Sequence, residues 1–205
     1  MSSEIPKDWK APAVIPLFKG GDTLDPNCYR PISILPCLSK VFESHVNKQI
    51  TDHFESHRTF SAMQSGFKAG HGCTSATLKV LNDIITAIDK RQYCAAVFID
   101  LAKAFDSVNH RILIGRLNSL GFSNDWLTNY FSDRVQCVKS EGLLSGPLAV
   151  SMGVPQGSIL VATLFSVYIN DVALAAGDSL IHLYADDTTV YIWPFFGHYA
   201  NKPPK

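Results

Sequence analysis

The apolar positions of this chain fall into short blocks with two distinct periods. Residues 13–18 (AVIPLF) form a compact apolar run and predict a strand, with Pro16 pointing to a sheet edge. Residues 30–35 (RPISIL) predict a second strand, and Gly20-Gly21-Asp22 supplies turn chemistry between the two. Phe42, Val46, Ile50 and Phe54 recur every four residues, which predicts an amphipathic helix from about Ser39 to Glu55. Gly66, Gly70 and Gly72 mark an irregular loop. Leu78, Leu81, Ile85 and Ile88 then place a helix over about Thr74 to Lys90, with Thr74 or Ser75 as its cap.

Residues 93–101 (YCAAVFIDL) are almost continuously apolar and predict a buried central strand. A helix is expected from near Ser107 to just before Gly121, and a shorter one over about Asn124 to Ser132. Residues 135–140 and 148–153 read as strands separated by the Gly146-Pro147 turn. Gly157 and Ser158 open a helix running to about Ala175. LIHLY, Ala185-Asp186-Asp187 and TTVYIW then read as a hairpin with acidic residues at its tip. Strands and helices mix without strict alternation, so the expected class is α+β rather than a doubly wound sheet. The tail 194–205, with Pro194, Pro203 and Pro204, is expected to be poorly ordered.

Composition adds bounds. Of 205 residues, 46% are apolar, enough for a sizeable core. Lys plus Arg and Asp plus Glu balance at 18 each, so the chain as a whole has no basic nucleic-acid footprint. Cys28, Cys37, Cys73, Cys94 and Cys137 have neither zinc-ligand spacing nor a disulfide framework, which points to reduced thiols in an intracellular protein. The N-terminus has no signal-peptide pattern, and the apolar stretch Ile159 to Ile169 is too short to span a bilayer.

The chemistry lies in three carboxylates. Asp100 closes a strand, and Asp186 and Asp187 sit on a hairpin. Carboxylates that converge repel one another unless a cation neutralises them. Magnesium suits such a set because it prefers oxygen ligands and keeps waters or substrate phosphates. Alone, an Asp-Asp pair at a turn is more often simply a turn, because Asp suits turn backbone.

Eight segments, in order, change that balance: IPLFKGGD, CYRPISIL, LSKVFE, QSGFKAGHGCTSA, VFIDLAKAFDSVNH, GVPQGSIL, LFSVYINDV and LYADDTTVY. Together they resemble the reverse transcriptases of non-LTR (LINE-type, jockey-like) retrotransposons over roughly residues 9–192. The resemblance implies a right-hand polymerase with fingers at 1–92 and palm at 93–193, an antiparallel palm sheet and a catalytic hairpin. The tail 194–205 matches nothing in that family, and the thumb is expected to be absent. Asp100, Asp186 and Asp187 would hold two Mg²⁺, for which Mn²⁺ can substitute, with the backbone carbonyl of Ile99 or Leu101 nearby. Phe105 would stack under the nucleotide sugar, Gln156 and Gly157 would pack against template and incoming nucleotide, and Arg30 and Lys19 would grip the triphosphate. Asp106 and Asn109 are expected to shape a turn and a helix start. The implied partners are an RNA template, a DNA primer and deoxynucleoside triphosphates, with no membrane and no obligate protein partner. The family pattern departs at Val161-Ala162, where Gly-Pro is usual; the replacement should let the helix run more regularly. A second reading is an inactive retroelement fragment with residual nucleic-acid binding, motivated by the missing thumb and unrelated tail.

Overall fold

A computed structural model describes residues 4–57, 59–68, 70–177 and 179–192. The predicted tail lies outside the described residues. The chain packs as two compact units, each built from two stretches: Met1–Phe60 with Lys103–Ile169, and Ser61–Ala102 with Asn170–Lys205.

In the first unit, β1 (Ala13–Phe18) pairs antiparallel with β2 (Tyr29–Ile34) and, at Ala13 and Val14 alone, parallel with β4 (Val135–Ser140). β1 is thus interior at its start and free on one side at Pro16. Its proline marks the half of the strand that β4 leaves, not a whole edge strand. The short β5 (Leu143–Leu144) and β6 (Leu148–Ala149) pair with opposite ends of β4. The strand expected over 148–153 shrinks to its first two residues, Leu148 and Ala149.

The helices of this unit are α1 (Cys37–His57), α3 (His110–Ser119), α4 (Asn124–Phe131) and α5 (Leu160–Ile169). Ile50 and Phe54 of α1, Leu113 and Leu117 of α3, and Leu160 and Leu164 of α5 are buried in one core. The two residues of each pair are four apart, so one stripe of each helix faces inward. Asn109 caps α3, its Oδ1 accepting from the amides of Arg111 (3.0 Å) and Ile112 (3.2 Å). Val161 and Ala162 lie in the first turn of α5, which runs through them without a break. At the far end of α5, Arg116 donates to the carbonyls of Val167 and Tyr168, satisfying acceptors the helix leaves open.

The second unit carries a three-stranded antiparallel sheet in the order β3 (Ala95–Ile99), β8 (Asp187–Ile192), β7 (Leu180–Tyr184). Helix α2 (Cys73–Asp89) packs on β7, and the short α6 (Val172–Ala175) precedes that strand. The cap of α2 is Gly72 rather than Thr74 or Ser75; Ser75 instead reaches back, its Oγ accepting from the Gly72 amide at 3.0 Å.

Two expectations fail in this unit. The 93–101 strand is not buried and central. β3 is at the end of the sheet, all five of its residues are exposed, and Phe98 is 73% exposed. The apolar stripe of α2 is also exposed, from Leu78 to Ile88. The helix expected from Gly157 to Ala175 is two helices, broken at Asn170-Asp171. Asn170 Oδ1 accepts from the Ser61 amide at 2.9 Å, so its side chain serves a loop instead of continuing the helix.

Candidate functional site

The register of the second unit's sheet brings the acidic residues together. β3 and β8 run antiparallel with Ile99 opposite Thr188. One step further puts Asp100 opposite Asp187, the first residue of β8. Directly opposed residues on antiparallel strands have Cβ atoms about 4.5–5.5 Å apart. Tyr184 pairs with Asp187 across the hairpin, so Asp186 occupies the two-residue turn with Ala185. Residues far apart in sequence thus meet through strand pairing alone.

The electrostatics agree. Partial burial, then the charges of Asp186 and Asp100, push the Asp187 carboxyl above its ordinary pKa. Among the described residues, no three His, Cys, Asp or Glu side chains are drawn in to ready metal-ligand spacing. The three aspartates are therefore close enough to repel, yet not closed into a cage. An oxygen-only set of like charges fits a hard divalent cation that retains waters or phosphates better than it fits zinc. Leu101, directly after Asp100, is exposed.

The remaining site candidates lie in the first unit. Lys19 and Arg30 are both exposed on the β1–β2 hairpin, where the Lys19 amide donates to the Cys28 carbonyl at 2.8 Å. The segment before α5 is tied to two other elements. The Val154 amide donates to the Phe105 carbonyl at 2.9 Å, and Gln156 Nε2 donates to Asp106 Oδ1 at 2.8 Å. From β2, the Ser33 amide donates to the Gln156 carbonyl at 2.6 Å. Phe105, Gln156, Gly157 and the strand carrying Arg30 are thereby held in one network. Phe105 also packs on Phe165, ring centroids 4.3 Å apart. A cleft of about 170 Å³ borders Gln156, lined also by Pro31, Ser33, Asp106, Arg134 and Met152.

Gly157 is conformationally constrained. Its φ is +118°, and a Cβ there would lie 2.5 Å from the Ser33 carbonyl oxygen. The close backbone approach expected at this glycine is made to the chain's own β2.

Sequence reasoning missed Glu43. This residue is 3% exposed and accepts from Tyr130 Oη (3.1 Å), Ser158 Oγ (2.8 Å) and the Ile159 amide (2.9 Å). Its carboxylate sits where the first amides of α5 need an acceptor. Burial, then the Glu43 charge, pushes the Tyr130 phenol up, so it stays a donor. The only trace in the sequence was LSKVFE, an acidic residue on the apolar side of α1. His110 also clamps the loop, its Nε2–H donating to the Gly153 carbonyl at 2.6 Å.

Comparison with known proteins accords with this geometry. The family described as reverse transcriptase (RNA-dependent DNA polymerase) matches residues 18–193. A probable RNA-directed DNA polymerase from transposon BS of Drosophila melanogaster is 35% identical over 89% of this chain and 21% of its own length. The RNA-directed DNA polymerase from the mobile element jockey of the same fly is 32% identical over 90% of this chain, again 21% of its own length. The chain thus spans about a fifth of these relatives. Among solved structures, apo telomerase from Candida tropicalis superposes with a TM-score of 0.63 at 12% identity, over 93% of this chain and 40% of that one, which shows a shared fold. With its matched segment covering most of its length, the chain belongs to the reverse transcriptase (RNA-dependent DNA polymerase) family, among relatives carried by non-LTR retrotransposons.

Proposed function

We propose that this chain carries the nucleotidyl-transfer centre of an RNA-directed DNA polymerase, with Asp100, Asp186 and Asp187 as the acidic residues that hold two divalent cations. The observation that carries this reading is the β3–β8 register, which sets Asp100 opposite Asp187 beside the Asp186 turn. When bound, Mg²⁺ (or Mn²⁺) supplies charge neutralisation for the triphosphate and lowers the cost of deprotonating a primer 3′-hydroxyl.

The aspartates orient that charge by presenting oxygens from three backbone positions fixed by strand pairing. The Leu101 carbonyl follows the same strand end and is assigned to the metal side. Phe105 is the candidate for stacking under the deoxyribose, where a ring disfavours a 2′-hydroxyl. Gln156 and Gly157 present the loop before α5 to template and incoming nucleotide. Arg30 and Lys19 supply positive charge for the triphosphate, Arg30 through its planar fork. In this reading residues 1–92 are fingers and 93–193 palm, and the catalytic hairpin is β7–β8. The substrates are an RNA template, a DNA primer and deoxynucleoside triphosphates.

The test is primer extension on an RNA template with Mg²⁺. It uses the purified chain, and the chain grafted in place of the matching segment of the jockey polymerase. Extension by the graft, reduced to background by Asp186→Ala or Asp100→Ala, is the expected result. A folded graft that extends no primer would establish the inactive-fragment reading instead.

A further inference from the structure

We propose that Gly66, held by Gln64, is a positioning residue for the Asp186–Asp187 turn; the inference rests on the metal-binding reading above. The segment Met63–Gly66 lies along the outer side of β7. The Leu183 amide donates to the Met63 carbonyl at 2.9 Å, and the Ser65 amide donates to the Leu183 carbonyl at 2.8 Å. Gln64 bridges to Leu183 in parallel register, so this stretch serves as a one-residue strand on the open side of the hairpin. Gln64 itself is 2% exposed, and its Oε1 accepts from the Gly66 amide at 2.8 Å. The side chain therefore folds over its own backbone and sets where residue 66 stands.

Gly66 stands against the turn. A Cβ built on it would fall 2.1 Å from the Ala185 nitrogen, 2.9 Å from the Ala185 Cα and 3.0 Å from the Tyr184 carbonyl carbon. All three are backbone atoms, so no side-chain rotation relieves the contact. They belong to the Tyr184–Ala185 peptide, one residue before Asp186. Gly66 needs no left-handed backbone, so its requirement is for space alone. Ala185, by contrast, is held at φ +58°, a left-handed conformation that strains an L residue. Such a conformation persists only where the surroundings over-determine it. Here the surroundings are the 63–66 segment on one side and the β7–β8 pairing on the other.

An added methyl must move the Tyr184–Ala185 peptide by on the order of an ångström, beyond the roughly 0.5 Å within which a functional constellation tolerates displacement. The carboxylates of Asp186 and Asp187 then lose their shared geometry although neither has been altered. Changes in groups that orient metal ligands typically weaken metal binding about 10–100-fold.

The experiment measures Mn²⁺ binding to the purified full chain by electron paramagnetic resonance, with circular dichroism as a check on folding. The proteins are wild type, Gly66→Ala, Gln64→Leu and Asp186→Ala. The expected result is a dissociation constant raised about tenfold by Gly66→Ala, a smaller rise with Gln64→Leu, and loss of the specific site with Asp186→Ala. Gln64→Leu adds no bulk at residue 66, so it decides the matter if Gly66→Ala does not fold. Wild-type Mn²⁺ affinity in the folded Gly66 or Gln64 variants, with the site lost in Asp186→Ala, would overturn the positioning role and leave the metal site standing. Unchanged binding in Asp186→Ala would overturn the metal reading, and this inference with it.

Discussion

Replacing Gly157 by alanine tests how the loop before α5 is held. The new Cβ would sit 2.5 Å from the Ser33 carbonyl oxygen, at a φ of +118°. Ser33 cannot easily retreat, because it is buried in β2 and its amide donates to the Gln156 carbonyl at 2.6 Å. Two costs therefore add. Holding an L residue in a sparsely populated backbone region costs about 1–3 kcal/mol. Forcing an extra carbon against packed backbone costs roughly another 1–3 kcal/mol. A total of about 2–6 kcal/mol is a large share of the 5–15 kcal/mol that stabilises a typical domain. For a chain of this size it corresponds to a fall in Tm of about 4–24 °C. The assay is thermal unfolding followed by circular dichroism, with Gly115→Ala as the companion. Gly115 lies inside α3 with nothing within 4 Å of its Cβ position, so alanine there should stabilise. The expected gain is about 0.5–1 kcal/mol. A Gly157→Ala chain that melts with wild type would refute the clamped-loop account.

Three further outcomes are expected. Glu43→Ala should destabilise by about 1–3 kcal/mol for each buried donor left without an acceptor, and Glu43→Gln by less, since a flipped amide still accepts from Ser158 and Ile159 while donating to the Tyr130 oxygen; urea midpoints of the two variants give the comparison. Asp187 has a raised pKa, so its contribution is favourable below the ordinary aspartate value and is lost as pH rises through the raised one; Asp187→Asn should therefore raise Tm at pH 7 in EDTA, converge with wild type near pH 4 and remove any Mg²⁺-dependent rise, whereas a lower Tm at pH 7 would contradict this. His182, buried and bonded through Nε2 to Asp83 at 3.1 Å, has its pKa lowered mainly by burial, as does His110; stability should hold above pH of about 6.5 and fall as pH drops below it, and His182→Phe should remove part of that slope in urea titrations.

Local periodicity made α1, α2, α3 and the β7–β8 hairpin legible in the sequence, because each depends on neighbours within a few residues. The order of the three aspartates was legible too, as positions at strand ends. What the pattern did not carry was pairing. An apolar run such as 93–101 states that a strand forms, but not how many of its sides are covered, and β3 proved to be exposed. The break at Asn170-Asp171 was hidden because both neighbouring stretches are good helix formers, and the diversion depends on a distant loop amide. Glu43 and Gly66 escaped for the same reason. Each acts through contacts to residues more than eighty positions away, which no window of sequence contains.

The pairing of β3 with β8 has a consequence for the order in which the protein is made. Asp100 emerges from the ribosome well before its partner strand, and among the described residues β3 pairs with β8 alone. Until Thr188 to Ile192 have been synthesised, Val97, Phe98 and Ile99 belong to an unpaired apolar segment, the kind that recruits other chains. Contacts of such long sequence separation form slowly, because loop closure precedes their reward. The acidic centre therefore cannot take shape until β8 has been made, and a chain cut short before β8 leaves its first aspartate with no strand to stand against.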